Sequence, residues 1–454
     1  MTQASLQHPF IHGEFAPVVA EETRFDLSIE GSLPIELTGR YLRNGPNPIG
    51  AIDEQRHHWF LGHGMVHGVR LNDGRAEWYR NRYVRSADVS DLLGESHLPN
   101  PWASSHVTAS ANTNVISFGG KTLALIEAGF PPIELSEELE TLSISNLDGT
   151  LSGAFSAHPK LDPITGELHV MTYHWERGNS AQYVVVGRDG RVRKTLDIAL
   201  PGGPMIHDIA ITDRFIAVFD LPCVFNLDAV TEGARFPYLW DPNYKARVGL
   251  LPRDGDASEI KWCEVPSCYV FHLMNSYDRA DGSVVLDVVR HPSMFDVERR
   301  GPLEGDPVLE RWVLSPETGN CAVERLDDRV IEFPRVNESR VGAENRYGYA
   351  SALKDRVHQG GILKYDLFNG SSEVRDEGDA FGYGEAVFVA REGATAEDDG
   401  WLMGFRLNRA QGNSDLVVLN AQDIAGDPVA VVHLPARVPA GFHGNWCPDV
   451  GVLT

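Results

Sequence analysis

Five cysteines in 454 residues, Cys223, Cys263, Cys268, Cys321 and Cys447, include no C-x-x-C pair. They are too few and too scattered for a disulfide framework or a thiolate zinc site, and they suit a reducing cytoplasm. Basic residues are also scarce, 40 Lys and Arg against 64 Asp and Glu, for a formal charge of −24. Nucleic-acid binding is thereby excluded as a reading, because backbone phosphates need clustered cations. No apolar run approaches the roughly 18 residues that a membrane-spanning helix requires. The opening MTQASLQHPFIHGEF has no basic stretch leading into an apolar one, so a soluble, unexported protein is expected. Neither a G-x-S-x-G nucleophile elbow nor an H-E-x-x-H zinc helix is present. Residues 118–122 (FGGKT) imitate the end of a P-loop, but Val115 stands where its first glycine belongs, and Gly62-His63-Gly64 lacks the third glycine of a dinucleotide fingerprint.

What the chain does have is turns and strands. Hydrophobic residues make up 42% and charged residues 23%, enough for a large core, and 44 glycines with 27 prolines favour many short strands. Residues 75–85, 167–175, 215–222 and 283–291 read as alternating rather than helical, β-branched and aromatic runs of strand length. Asp73-Gly74, Asp189-Gly190, Asp281-Gly282 and Asn369-Gly370 read as hairpin tips that need positive φ. Residues 182–186 and 192–196 are expected to pair in one hairpin, and 362–366 with Val374 in another. Helical candidates are few: 134–140 is short and 351–357 is weak. No composition shift or linker divides the chain. So many hairpins call for a closed all-β architecture, a propeller or large barrel, since closure limits exposed edges. No repeat of fixed length supplies a blade count.

The conspicuous chemistry is histidine, 17 in all. His158 in SAHPKLDP, His207 in MIHDIAITD, His272 in VFHLMNSYD and His443 in GFHGNWCPD carry the most weight, yet they lie too far apart in the chain to form a local finger. They can converge only if successive hairpin groups deliver each to a common axis, which a propeller does. A lone His beside Asp or Pro is more often a hydrogen-bonded turn residue than a ligand, and His57, His58, His63, His67 and His106 are equally tempting by type. Composition does not choose among them.

A resemblance does. YLRNGPNP (41–48), HWFLGHGMVHGV (58–69), YRNRYVR (79–85), LALIEAG (123–129), SAHPKLDP, IHDIAIT, FHLMNSYD, EFPRVN (332–337) and FHGNW (442–446) are similar, in order, to the carotenoid cleavage oxygenase family. The likeness runs from about Arg40 to Trp446. It implies a seven-bladed β-propeller with helical and loop segments capping one face, a non-haem Fe(2+) on the axis, and O₂-dependent cleavage of a conjugated C=C bond. By the same resemblance His158, His207, His272 and His443 would be the iron ligands, and Glu127, Glu332 and Glu385 the carboxylates behind them. Thr113 would sit beside the open coordination position opposite a ligand. Four neutral imidazoles suit a first-row metal kept divalent, and each needs its other ring nitrogen held, usually by a carboxylate. Which glutamate meets which histidine is open. A glutamate is ordinarily a solvated surface residue, but the apolar neighbours of these three favour burial.

Asp208, Asn275, Asp278 and Asn445 are expected to brace loops around the ligands. Arg335, Arg346 and the Arg43-Asn44-Gly45-Pro46 turn read as structural. Residues 237–255 resemble a family loop near the substrate entrance and read equally well as an ordinary surface loop. The expected partner is an apolar conjugated small molecule, a carotenoid or apocarotenoid. The alternative is a phenolic alkene, a stilbenoid such as resveratrol or a phenylpropene such as isoeugenol. Stilbenoid cleavers carry a lysine directly before the first of the glutamates, and here that place is Ile126, which favours the isoprenoid chain. His63 is a further departure, standing where an acidic residue is common. Residues 1–454 are expected to form a single propeller domain with cap segments inserted between blades, and peripheral contact with a membrane is compatible with the chain. Two rivals from other classes are a zinc or calcium propeller hydrolase, which would want carboxylate ligands or an open three-ligand site, and a non-catalytic binding propeller.

Overall fold

The four expected tips all turn hairpins. Only at Asp73-Gly74 do both residues take positive φ, 46° and 70°, as a type I′ turn requires; at the other three the glycine alone supplies it. The computed structural model describes residues 8–102 and 110–449, and places these hairpins in seven antiparallel sheets, the blades of a β-propeller, with one additional two-stranded ribbon.

Blade 1 contains Gly39–Pro46, Gly64–Asn72 and Arg75–Tyr83. Blade 2 runs from Asn114–Phe118 to Thr141–Ile144, blade 3 from Lys160–Leu161 to Val192–Ala199, and blade 4 from Ile209–Ile211 to Lys261–Glu264. Blade 5 runs from Tyr269–Asp278 to Cys321–Asp327, blade 6 from Ile331–Arg335 to Ser371–Arg375, and blade 7 from Phe381–Tyr383 to Ala430–His433. In blades 2 to 7 the first strand lies beside the axis. The ring is closed from both directions. Gly444–Pro448 pairs with Gly39–Pro46 to become the axis strand of blade 1, while Ile29–Gly31 edges blade 7 and Thr23–Phe25 edges blade 1.

Strands sandwiched between neighbouring blades are buried on both faces, as in Ser180–Val186 and Tyr269–Asp278, whereas the outer strand Val192–Ala199 alternates. The expected alternation therefore does not hold in the burial of Phe215–Asp220 and Val284–His291, which are covered on both faces by neighbouring blades. Trp312, Tyr41, Tyr79 and Tyr183 are among the largest fully buried side chains between the sheets.

Both helical expectations fail. Glu134 lies in the strand Ile133–Leu135, and the following residues form a turn in which Ser136 Oγ accepts from Glu138 N and Glu140 N, with Leu139 at φ 69°. A serine that satisfies the backbone this way competes with helix. Ser351 lies in Tyr347–Lys354, which turns through Asp355 and Arg356, both at positive φ, into His358–Asp366. Among the described residues the α-helices are Ala87–Leu93, ended by Gly94 at φ 70°, and Leu227–Thr231, where Asn226 Oδ1 accepts from Ala229 N. Arg43-Asn44-Gly45-Pro46 is not a turn but the buried end of the strand Gly39–Pro46.

Candidate metal centre

Each axis strand delivers one polar side chain to the same end of the channel. Thr113 immediately precedes the axis strand of blade 2, His158 comes two residues before that of blade 3, and His207 two before that of blade 4. His272 lies within the axis strand of blade 5, Glu332 within that of blade 6, Glu385 between Phe381–Tyr383 and Val387–Ala390 of blade 7, and His443 directly before the closing strand. Glu127 is the exception, two residues beyond the second strand of blade 2. The register of blade 5 is irregular between Val270 and Leu273, and that of blade 6 between Glu332 and Arg335, where Phe333 takes φ 54°. Such bulges re-aim a side chain that a regular ladder would turn elsewhere.

The four histidines converge. His158, His207, His272 and His443 are all buried, and each offers a nitrogen within 4.8 Å of the others. His272 Nε2 lies 3.1 Å from both His207 Nε2 and His443 Nε2. Glu332 Oε2 is 2.5 Å from His272 Nδ1, Glu385 Oε1 is 3.0 Å from His443 Nδ1, and Glu127 Oε1 is 2.5 Å from His207 Nδ1. This last approach is bent enough that Nδ1 lacks a hydrogen bond of standard geometry. Among the described residues His158 has no carboxylate partner, so three glutamates serve three of the four rings. Blade 6 reaches back to blade 5, blade 7 forward to blade 1, and blade 2 past blade 3 to blade 4.

These contacts fit a cation. A carboxylate only accepts, so the Nδ1 facing it carries the ring proton and Nε2 is left as a bare lone pair. Lone pairs then face one another across 3.1 Å. Two imidazoles each about 2.1 Å from a shared ion would be about 3.0 Å apart at a right angle and about 3.4 Å apart in a tetrahedron. The observed separation lies nearer the right-angle value, and four imidazoles held so would leave room for further ligands on a six-coordinate ion. The charges point the same way. Burial alone would raise the Glu332 carboxyl, yet His272 and His291 hold it well below the usual range; burial would lower His272, yet Glu332 lifts it. Burial, reinforced by the neighbouring imidazoles, pushes His158 well down and brings His443 down to about 4 against the pull of Glu385. Three carboxylates thus surround a group of imidazoles that resist protonation at two positions. The only other cation bonded to any of the three, among the described residues, is Arg335, 3.3 Å from Glu385 Oε1.

A cavity of about 530 Å³ rises from this floor, walled by Trp59, Phe60, Phe236, Phe271 and Phe442 with Ile126 among them. Thr113 lines it too and donates its hydroxyl to Asn112 Oδ1. Of the segment 237–255, Pro237 and Tyr238 reach the cavity, while Arg247–Pro252 is an ordinary strand of blade 4.

Asp208, Asn275 and Asn445 brace loops near the ligands: Asp208 accepts from Lys160 Nζ and Ile209 N, Asn275 donates to Arg340 O and Ala343 O, and Asn445 donates to Val115 O. Asp278 instead binds Arg214 at the far end of the axis strand from His272. Arg346 pairs with Asp366 at the surface. His58, His63 and His67 bond to Phe60 N, Ile49 N and the Tyr79 hydroxyl respectively, and with His57 they stay out of the cluster; His106 lies outside the described residues. Sequence reasoning missed three residues behind the carboxylates. The Tyr173 hydroxyl donates to Glu127 Oε2 (3.1 Å), His291 Nε2 lies 2.8 Å from Glu332 Oε1, and Arg335 does more than brace a turn. The one available signal was for His291, a histidine ending an apolar strand just before Pro292.

Among the described residues no helix is long and apolar enough to cross a membrane. The family described as retinal pigment epithelial membrane protein matches residues 15–448. The carotenoid cleavage oxygenase of Mycobacterium tuberculosis is 41% identical, over 98% of each chain. Among solved structures, cobalt-substituted Synechocystis apocarotenoid oxygenase is 28% identical over 95% of this chain and 97% of its own, with a TM-score of 0.86. Pseudomonas brassicacearum lignostilbene dioxygenase is 27% identical over 97% and 98%, with a TM-score of 0.87. Seven blades, four imidazoles on their axis and a match spanning nearly every described residue agree: the chain belongs to the carotenoid cleavage oxygenase family.

Proposed function

We propose that this chain is an Fe(2+)-dependent dioxygenase that cleaves a conjugated C=C bond of a carotenoid or apocarotenoid to two carbonyl products. The observation that carries the reading is the convergence of four imidazole lone pairs at the floor of an aromatic cavity. His158, His207, His272 and His443 would hold the iron, with Glu127, Glu332 and Glu385 fixing three of the rings. When bound there, iron supplies the activation of O₂. The protein's own part is positional. Phe60, Phe236, Phe271 and Phe442 offer flat apolar faces to a polyene and exclude water, and Thr113, on the cavity wall with its hydroxyl committed to Asn112, would crowd a position beside the metal. No side chain is assigned as acid or base. The same reading takes residues 1–454 as one propeller unit working in the cytoplasm. Exposed Trp175, Leu227 and Val230 at the cavity's rim support peripheral contact with a membrane from which an apolar substrate is drawn.

The likeness to lignostilbene dioxygenase favours a second reading, a phenolic alkene as substrate. Against it stands Ile126 on the cavity wall, which offers a phenolate no charge. The test is mass-spectrometric product analysis of iron-loaded protein under air with an apocarotenoid and a hydroxystilbene together. Isoprenoid aldehydes support the first reading and hydroxybenzaldehydes the second; no cleavage of either, with stoichiometric iron bound, refutes both.

A further inference from the structure

Two of the three carboxylates are bridges. Glu127 offers Oε1 to His207 and Oε2 to the Tyr173 hydroxyl, and Glu332 offers Oε2 to His272 and Oε1 to His291. The Glu332 bridge is the more exacting. Its other bond, from Phe333 N at 2.6 Å, is also to Oε2. Both groups that hold one oxygen therefore leave the carboxylate free to pivot, and among the described residues only His291 anchors Oε1. His291 ends the strand Val284–His291, is 2% exposed and stands in the cavity wall. Because a carboxylate only accepts, His291 Nε2 carries the proton, and its Nδ1 has no hydrogen-bond partner among the described residues. The imidazole is thus committed wholly to Glu332. Phe271 presses against both His291 (5.2 Å between ring centres) and His207 (4.9 Å), which packs the two imidazoles onto one phenyl ring.

We propose that His291 is a positioning residue of the metal centre. By donating to Glu332 Oε1 it fixes the plane of the carboxylate whose other oxygen sets the orientation and donor strength of His272. The inference rests on reading the four histidines as a metal site. Outer partners of this kind typically govern metal affinity by ten- to a hundredfold.

The test is cobalt(II) binding to metal-free full-length protein, with the dissociation constant and the visible ligand-field spectrum both recorded. His291→Phe keeps a ring of similar size and removes the bond, and is expected to weaken cobalt binding about 10- to 100-fold and to move the ligand-field band. His291→Gln, whose amide can donate to Oε1, is expected to recover most of both. If the phenylalanine variant does not fold, His291→Asn, too short to reach Oε1, takes its place in the comparison. Wild-type affinity and an unmoved band in the variant without the bond would overturn the proposal, as would equal weakening in both variants with the band unmoved, the mark of a merely structural role. Failure of the underlying reading is separately recognisable: wild-type protein would bind no cobalt, or would bind it as tightly after His443→Ala, and the proposal would fall with it.

Discussion

Replacing Arg335 with methionine leaves the Glu385 carboxylate without its cation, and also removes the bonds from Arg335 Nη2 to the exposed Glu338 and to Asn445 Oδ1. Arg335 Nη1 donates to Glu385 Oε1 at 3.3 Å and to Gly444 O at 3.2 Å, and the Glu385 side chain is 2% exposed against 15% for Arg335. Burial works to raise the Glu385 carboxyl, but His443, Arg335 and the Gly444 N–H bring it from an ordinary 4.5 down to about 2. A carboxyl lowered by that much contributes on the order of 3 kcal/mol to stability at neutral pH. The contribution is complete above pH 4.5 and is lost as pH falls through about 2. Removing one partner of a buried pair costs roughly 3–5 kcal/mol in other proteins, and the partial exposure of Arg335 places Arg335→Met near the lower end, about 3 kcal/mol. Equilibrium urea unfolding at pH 7, 5 and 3 measures it. The variant should be less stable by that amount at pH 7, with the gap narrowing below pH 4.5 because its carboxyl protonates sooner. Adding Glu385→Gln should recover most of the loss. A loss under about 0.5 kcal/mol, the level of an ordinary surface change, would refute the reasoning, and so would a gap independent of pH or a double variant no better than the single.

Stripping metal with a chelator should lower the melting temperature, and excess Fe(2+) or Co(2+) should restore it, by about 2.7 kcal/mol at a hundredfold excess over Kd; an unchanged transition would mean that no ion holds the four rings. Ile126→Lys should raise the ratio of hydroxystilbene to apocarotenoid kcat/KM about tenfold or more, the worth of a charge-assisted hydrogen bond, and an unchanged ratio in competition assays would remove residue 126 as a determinant. Trp312, fully buried with its Nε1 donating to Glu310, should cost roughly 3–5 kcal/mol on truncation to alanine in urea unfolding.

The parts of the fold that were legible in the sequence are those fixed locally. A glycine supplying positive φ marks its own hairpin tip, and strand runs such as 215–222 announce themselves by residue type. The blade count was not legible, because the spacing is irregular: blade 4 carries the ribbon of Cys223–Phe225 and Tyr238–Trp240 inside one hairpin, and the axis edge of blade 7 is split in two. The histidines were found by resemblance rather than by spacing, since nothing in a linear sequence says that the rings of residues 158 and 443 lie 4.4 Å apart. The glutamate pairing was hidden for the same reason. Glu127 skips the adjacent blade to reach His207, a choice made by where a chain turns off its strand. His291 offered only its place at the end of an apolar strand, and its bracing role was hidden because its partner oxygen is aimed by a bulge 41 residues away. Residues 134–140 and 351–357 misled because their composition allows helix while a serine turn and a left-handed tip decide otherwise.

His443 stands immediately before the strand that shuts the ring, so the cage cannot exist before the circle does. During synthesis at roughly 5–20 residues per second, the 171 residues between His272 and His443 take roughly 10–30 s to emerge. Through that interval three imidazoles on blades 3 to 5 are available without the fourth, and blade 1 lacks its axis strand. Completion of the four-imidazole cluster and closure of the ring are therefore one event, and a lesion confined to the last dozen described residues strikes the centre of the molecule as directly as one in its middle.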